Sequence, residues 1–261
     1  GDHRDLHSFP TRRSSDLLPI PGFDAVGIVQ AMDFLKNQNE IIDNKKTMIP
    51  DLNANNKNVI VIGGGDTGSD CIGTSNRQGA KSVVNFEILP KPPKERSLEN
   101  PWPYWPFTLK SSSSHEEGSN RNWSILTKEF IKDDSGKLTG LKTVKVEWEK
   151  SINERPKLIE IEGSEKVWPC DLVLLALGFT GPEKNILQKL KLKMDSSNKP
   201  KTNEYKTNDS KVFAAGDLRR GQSLIVWAIS EGREAAYKID EYLMGSSNLP
   251  TKTKGDLPLV K

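Results

Sequence analysis

The stretch Asn58-Val59-Ile60-Val61-Ile62-Gly63-Gly64-Gly65-Asp66-Thr67-Gly68 decides how this chain folds. A β-branched apolar run enters Gly63-x-Gly65-x-x-Gly68, and a helical pattern follows over about 66–78, stopping at Gly79, a natural residue just past a helix end. Ser82–Leu89 (SVVNFEIL) reads as the next strand, which completes a βαβ unit of the expected length, about 30 residues. In such a unit the first glycine permits a tight turn, the second lets the backbone approach a pyrophosphate, and the third lets helix and strand pack closely. Unpaired N–H groups and the partial positive charge at the helix start suit phosphates. Glu87 stands 19 residues beyond Gly68, near the spacing of about 20 expected for a carboxylate that accepts from a ribose 2′-hydroxyl. It would repel a 2′-phosphate, so NADH is favoured over NADPH; the alternative is a solvated Glu87 with Lys91 or Arg96 folded onto a phosphate.

Around this unit, 261 residues allow one or two domains. A net charge of +3 is too small to argue for nucleic acid, and no apolar run approaches a membrane span. Cys71 and Cys170 cannot form a disulfide framework, a closed zinc site or an iron–sulfur cluster by themselves. The expected setting is intracellular, the cytoplasm first and an organelle second. With no His near them in sequence, both cysteines read as small core residues rather than nucleophiles. His115-Glu116-Glu117 lacks the zinc-motif spacing and reads as an exposed loop.

The flanks are less regular. His7–Leu17 (HSFPTRRSSDL) resembles a translated sequencing adapter, so residues 1–17 are expected to be an artefact and disordered. A helix is expected over 26–38. Trp102, Tyr104 and Trp105, in a Pro-rich segment, are expected in an ordered loop. Trp123–Phe130, Leu138–Trp148 and Lys157–Ile161 read as an antiparallel meander, and the continuous apolar run Asp171–Leu177, ending in Gly178, as a strand buried on both faces.

A second strand–turn–helix follows. Lys211–Ala215 reads as a strand delivering Gly216 and Asp217 to a turn, with a long helix over 222–243 ended by Gly245. A carboxylate there could accept from ribityl hydroxyls, and the helix start could face a flavin's N1–C2=O edge. By physics alone an ordinary turn explains the run equally well. Arg219 and Arg220 could face a flavin phosphate or solvent.

Taken together, VIGGGDTGSDCIGTSNRQGAKSVVNFEILPKPPKER, NPWPYWP, WSILTKEF, DLVLLALGFTGPE and VFAAGDLRRGQSLIVWAISEGREAA resemble the glutamate synthase family: its small subunit, or the equivalent C-terminal region of the fused eukaryotic enzyme. The resemblance covers Leu18 to about Pro250. It implies an α/β fold in which a Rossmann-like nicotinamide domain is inserted in an FAD-binding domain, incomplete here. It implies hydride transfer from NAD(P)H to FAD and onward electron transfer through iron–sulfur clusters to FMN, for making glutamate from glutamine and 2-oxoglutarate. The partner would be the large subunit or the fused synthase region. Gly63, Gly65, Asp66, Thr67 and Gly68 match the family's nicotinamide-dinucleotide loop. Gly178 matches the glycine closing the strand before the flavin, Gly216 and Asp217 the second FAD motif, and Gln222, Ser223 and Leu224 the flavin-facing helix start.

The implied division gives 1–17 to the adapter-like stretch and 18–50 to a connecting helix from the FAD domain. It gives 51–170 to the NAD(P)H domain, 171–250 to the C-terminal part of the FAD domain and 251–261 to a polar tail, with hinges near 50–57 and 169–172. The family's first FAD fingerprint and its cysteine-rich region have no counterpart in these residues, so this polypeptide is not expected to retain FAD. Another flavoprotein input module, of the dihydropyrimidine dehydrogenase or ferredoxin reductase kind, or an inactive cofactor-binding module, stands as the alternative.

Overall fold

In the computed structural model, residues 11–13, 20–98, 108–149, 156–182 and 184–252 are described. The elements run β1 (Thr11–Arg13), β2 (Ile28–Gln30), α1 (Ala31–Ile42), β3 (Asn58–Ile62), α2 (Asp66–Arg77), β4 (Ser82–Glu87), α3 (Ser113–Glu116) and β5 (Asn120–Trp123). They continue with β6 (Ile125–Lys132), β7 (Leu138–Glu149), β8 (Lys157–Glu160), β9 (Lys166–Pro169), β10 (Leu172–Leu175), β11 (Phe179–Pro182), α4 (Lys184–Lys189), α5 (Asp217–Arg220) and α6 (Ile225–Met244). Two compact units result, 17–178 and 1–16 with 179–261.

The 17–178 unit is built on a five-stranded sheet in the order β2-β10-β3-β4-β5, every pair parallel. Alternation along its central strands explains the continuous apolar runs. Val59, Val61, Leu172 and Leu174 point to a core shared with Phe34 of α1 and Cys71 and Ile72 of α2. Ile60, Val173 and Leu175 point the other way, to a core shared with Phe130, Leu138 and Leu141 of an antiparallel sheet made by β6, β7, β8 and β9. Helices, parallel sheet and antiparallel sheet thus form three layers, and both faces of β3 and β10 are dry. Phe86 closes the second core with an edge-on contact to Trp168, ring centroids 4.9 Å apart.

Several expectations need correction. The strand over Asp171–Leu177 is real but belongs to the 17–178 unit: β10 lies between β2 and β3, so neither 18–50 nor 171–178 separates from 51–170, and 50–57 and 169–172 are interior to one unit. A run apolar on both faces cannot say which sheet it joins. The helix expected over 26–38 is α1, starting at Ala31, because Ile28–Gln30 pair with Val173–Leu175. The strand expected over Trp123–Phe130 is two, β5 and β6. Between them Ser124, at φ +57°, turns the chain from the parallel to the antiparallel sheet. The strand β9 was not expected; it pairs with Gly140–Thr143 of β7, beside β8 on the same edge.

In the other unit, Thr11–Arg13 pair antiparallel with β11, within a stretch expected to be disordered. Lys211–Ala215 is not a ladder strand; Phe213 makes a single bridge to Lys206. The long helix begins at Ile225 and ends at Gly245, at φ +79°, as expected for a left-handed helix cap. On α6, Glu231 and Ala235 are buried, whereas Ile225, Ile229, Leu243 and Met244 are more than half exposed. The Trp102–Trp105 loop, most of 1–17 and the end of the tail lie outside the described residues. Among the described residues no helix is long and apolar enough to cross a membrane.

Candidate functional site

In the loop between β3 and α2 the three glycines are not equally crowded. Gly63 takes φ +124°, and a Cβ there would stand 2.2 Å from the carbonyl oxygen of Ala176, just past β10. A Cβ on Gly68 would stand 2.2 Å from the carbonyl oxygen of Gly63. Both glycines are therefore required by backbone-to-backbone contact. Gly65 differs: a Cβ there would meet nothing within 4 Å among the described residues. It caps α2 in extended conformation, φ −80° and ψ −176°, a geometry other residues adopt, so the fold leaves this position open. Asp66 is exposed and Thr67 half-buried in the first turn of α2.

Asn85, buried in β4, fixes the loop from the side. Its Nδ2 donates to the carbonyl oxygens of Val61 (3.1 Å) and Gly63 (2.9 Å).

Glu87 ends β4, as expected, and its carboxylate lies over the loop: a Cβ on Gly64 would fall 2.1 Å from its Oε2. It is not a solvated strand-end residue. Arg121, on the adjacent strand β5, donates from Nη2 to Glu87 Oε1 at 2.9 Å, and both side chains are under 15% exposed. Arg121 also donates from Nη1 to the carbonyl oxygen of Lys110 (2.9 Å) and covers the Trp123 ring at 5.0 Å. Lys91 stands 4.8 Å from the same ring.

The segment expected as a loose loop is partly helical and packs on α2. Ser112 caps α3 and bonds Ser69 of α2. His115 Nδ1 accepts from the Ser112 N–H at 3.1 Å and lies 2.8 Å from its Oγ. Burial lowers the His115 pKa, helped by the Arg121 charge and opposed by Glu87. Cys71 and Cys170 are core residues; burial pushes each thiol up to about 12, far from a nucleophile.

The second turn is built differently. Gly216, at φ +65°, precedes the short helix α5, whose first residue is Asp217; Gln222, Ser223 and Leu224 lie before α6 rather than inside it. Asp217 and Gln222–Leu224 are exposed. Glu231, 2% exposed, accepts from the Gly216 N–H (2.9 Å) and from Arg219 Nε (3.2 Å) and Nη2 (3.0 Å), with Arg220 Nη1 at 3.5 Å. Both arginines thus turn inward onto this carboxylate and cover rings, Arg219 that of Tyr205 and Arg220 that of Trp227. Gly178 is the last residue of its unit, with open space where a Cβ would be among the described residues. Gly63–Gly68 and Glu87 are thus brought together in one unit, and Gly216, Asp217 and Gln222–Leu224 in the other. Arg121, Asn85 and Glu231 were missed because their partners lie far along the chain.

The pattern of the family described as pyridine nucleotide-disulphide oxidoreductase matches residues 125–232. The chain is 47% identical over 94% of its length to "Glutamate synthase [NADH]" of Schizosaccharomyces pombe, covering 12% of that protein. It is 42% identical over 92% of its length to "Glutamate synthase [NADPH] small chain" of Bacillus subtilis, covering 50%. The chain therefore spans about half the length of the separate small chains and a small part of the fused enzymes it matches. Among solved structures, it is similar to Mycobacterium tuberculosis FprA in complex with NADPH, with a TM-score of 0.63 and 14% identity over 91% of this chain and 62% of that one. It is also similar to T. acidophilum thioredoxin reductase, with a TM-score of 0.58 and 18% identity over 91% of this chain and 63% of that one. At such identities these two likenesses are of fold, and the fold is the α/β one of flavoprotein oxidoreductases with two dinucleotide-binding units.

Proposed function

We propose that this chain is the electron-input part of a glutamate synthase, in which NADH is the hydride donor, FAD the acceptor, and L-glutamate from glutamine and 2-oxoglutarate the eventual product. When bound, the nicotinamide and the flavin supply the redox chemistry; the chain supplies position and charge. The observation that carries the reading is the unequal crowding of the glycine loop. Gly63 and Gly68 are filled by backbone, whereas Gly65 is left open at the start of a twelve-residue helix, where N–H groups can face a pyrophosphate. The 47% identity to a glutamate synthase favours this assignment over another oxidoreductase such as FprA, at 14%.

Glu87, at the end of β4 and against Gly64, is read as the acceptor for an adenosine ribose hydroxyl, which supports NADH as the donor. Asp217 and Gln222–Leu224, exposed before α6, are the residues that would meet a flavin, with Gly216 shaping the turn and Gly178 closing the run after β10. The partner is the synthase large subunit or the fused synthase region, where the family carries FMN; iron–sulfur clusters lie outside the matched residues. Two buried free cysteines suit a reducing compartment, the cytoplasm or an organelle. Calorimetric titration of the chain with NADH tests the reading. Saturable binding that Gly65→Ala weakens about tenfold or more supports it; absence of binding overturns it.

A further inference from the structure

Two opposite charges meet at the end of the parallel sheet, one strand apart. The Glu87 carboxylate is wedged: Oε2 occupies the space a Gly64 Cβ would take, and Oε1 is held by Arg121 at 2.9 Å. Arg121 is itself tied to the Lys110 carbonyl oxygen and laid over Trp123, so it is poorly placed to swing away. A carboxylate has about four acceptor sites, and one donated bond from Arg121 leaves several for neutral hydroxyls. A carboxylate that cannot withdraw must instead repel a phosphate.

We propose that Arg121 is a specificity-determining positioning residue: by pinning Glu87 against Gly64, it makes the site accept a dinucleotide whose ribose carries a free 2′-hydroxyl and reject one carrying a 2′-phosphate. This rests on the reading that the Gly63–Gly68 loop holds a nicotinamide dinucleotide. Arg121 acts through Glu87 and is not itself the phosphate ligand its charge would suggest.

The test is titration of the whole chain with NADH and with NADPH, for the native protein and the Arg121→Met, Arg121→Lys and Gly64→Ala variants. The native chain is expected to favour NADH by about tenfold or more. Arg121→Met frees the carboxylate, so NADH binding weakens and the preference shrinks severalfold. Arg121→Lys restores an ion pair and recovers part of the preference. Gly64→Ala keeps Arg121 but displaces Glu87 from the other side, and shrinks the preference likewise; it serves should Arg121→Met fail to fold. If Arg121→Met weakens NADPH and spares NADH, Arg121 is a phosphate ligand and the proposal falls. It falls too if the preference is unchanged in folded variants, or if the native chain favours NADPH. Binding of neither nucleotide by the native chain overturns the dinucleotide reading itself.

Discussion

The two strand–turn–helix corners of this chain look alike in sequence and are held in different ways. At Gly63–Gly68 the main chain does the holding: carbonyl oxygens of Ala176 and Gly63 fill the positions side chains would take, and flanking strands pair on both sides. At Gly216–Leu224 a side chain does it: buried Glu231 gathers the Gly216 N–H and two guanidinium groups, and the preceding segment makes one bridge. A corner built by backbone contact tolerates no added atom at the contact points, here Gly63 and Gly68. A corner built on one carboxylate tolerates volume changes but depends on a single group.

The sharpest way to break this contrast is Gly63→Ala. It adds a carbon against a carbonyl oxygen at φ +124°, and about 3–5 kcal/mol of destabilisation is expected. Hydrogen exchange should rise over 59–75 and stay unchanged over 214–232. Glu231→Leu should do the reverse, raising exchange over 214–232. It leaves a buried N–H and two inward-turned arginines without their acceptor, worth about 3 kcal/mol. Equal exchange changes in both corners for either variant would abolish the distinction.

Gly65→Ala sharpens the contrast from within the first corner. Denaturant unfolding should change by no more than about 0.5 kcal/mol, because the position is open, while NADH affinity falls about tenfold. The smallest effect concerns His115. Its proton affinity is lowered in the folded chain, so its contribution is complete above the ordinary histidine value and is lost as pH falls through the lowered one. Thermal midpoints between about pH 7.5 and 5 should drop less in His115→Asn, which cannot gain a proton, than in the native chain.

Much of the first corner was legible in sequence because its rules are local. A β-branched run, three glycines and a helical period all fall within about twenty residues, and packing requires a glycine at two of the three positions, Gly63 and Gly68. What sequence could not place is what depends on distant partners. Leu172–Leu175 reads as a buried strand, yet which sheet it joins is fixed by Asp171, whose carboxylate receives the Asn58 N–H, and by pairing on both edges. Ile28–Gln30 is too short to outweigh a helical period, and only a strand 145 positions later in the ladder makes it extended. Arg121 and Glu231 reveal themselves through partners 34 and 15 residues away. In the second corner the resemblance supplied the candidate residues, and the inward turn of Arg219 and Arg220 became visible with Glu231 in place.

The contact between Gly63 and Ala176 also sets a schedule. Ala176 follows Gly68 by about a hundred residues, so the loop leaves the ribosome roughly 5–20 s before the strand that shapes it. During that interval β3 lacks β10 along one edge, and its apolar Val59–Ile62 run is open to mispairing. Among the parallel strands, the last made, β10, is an interior one that fits between β2 and β3. Synthesis rate and chaperone supply therefore bear on this unit's yield more than its final stability would suggest.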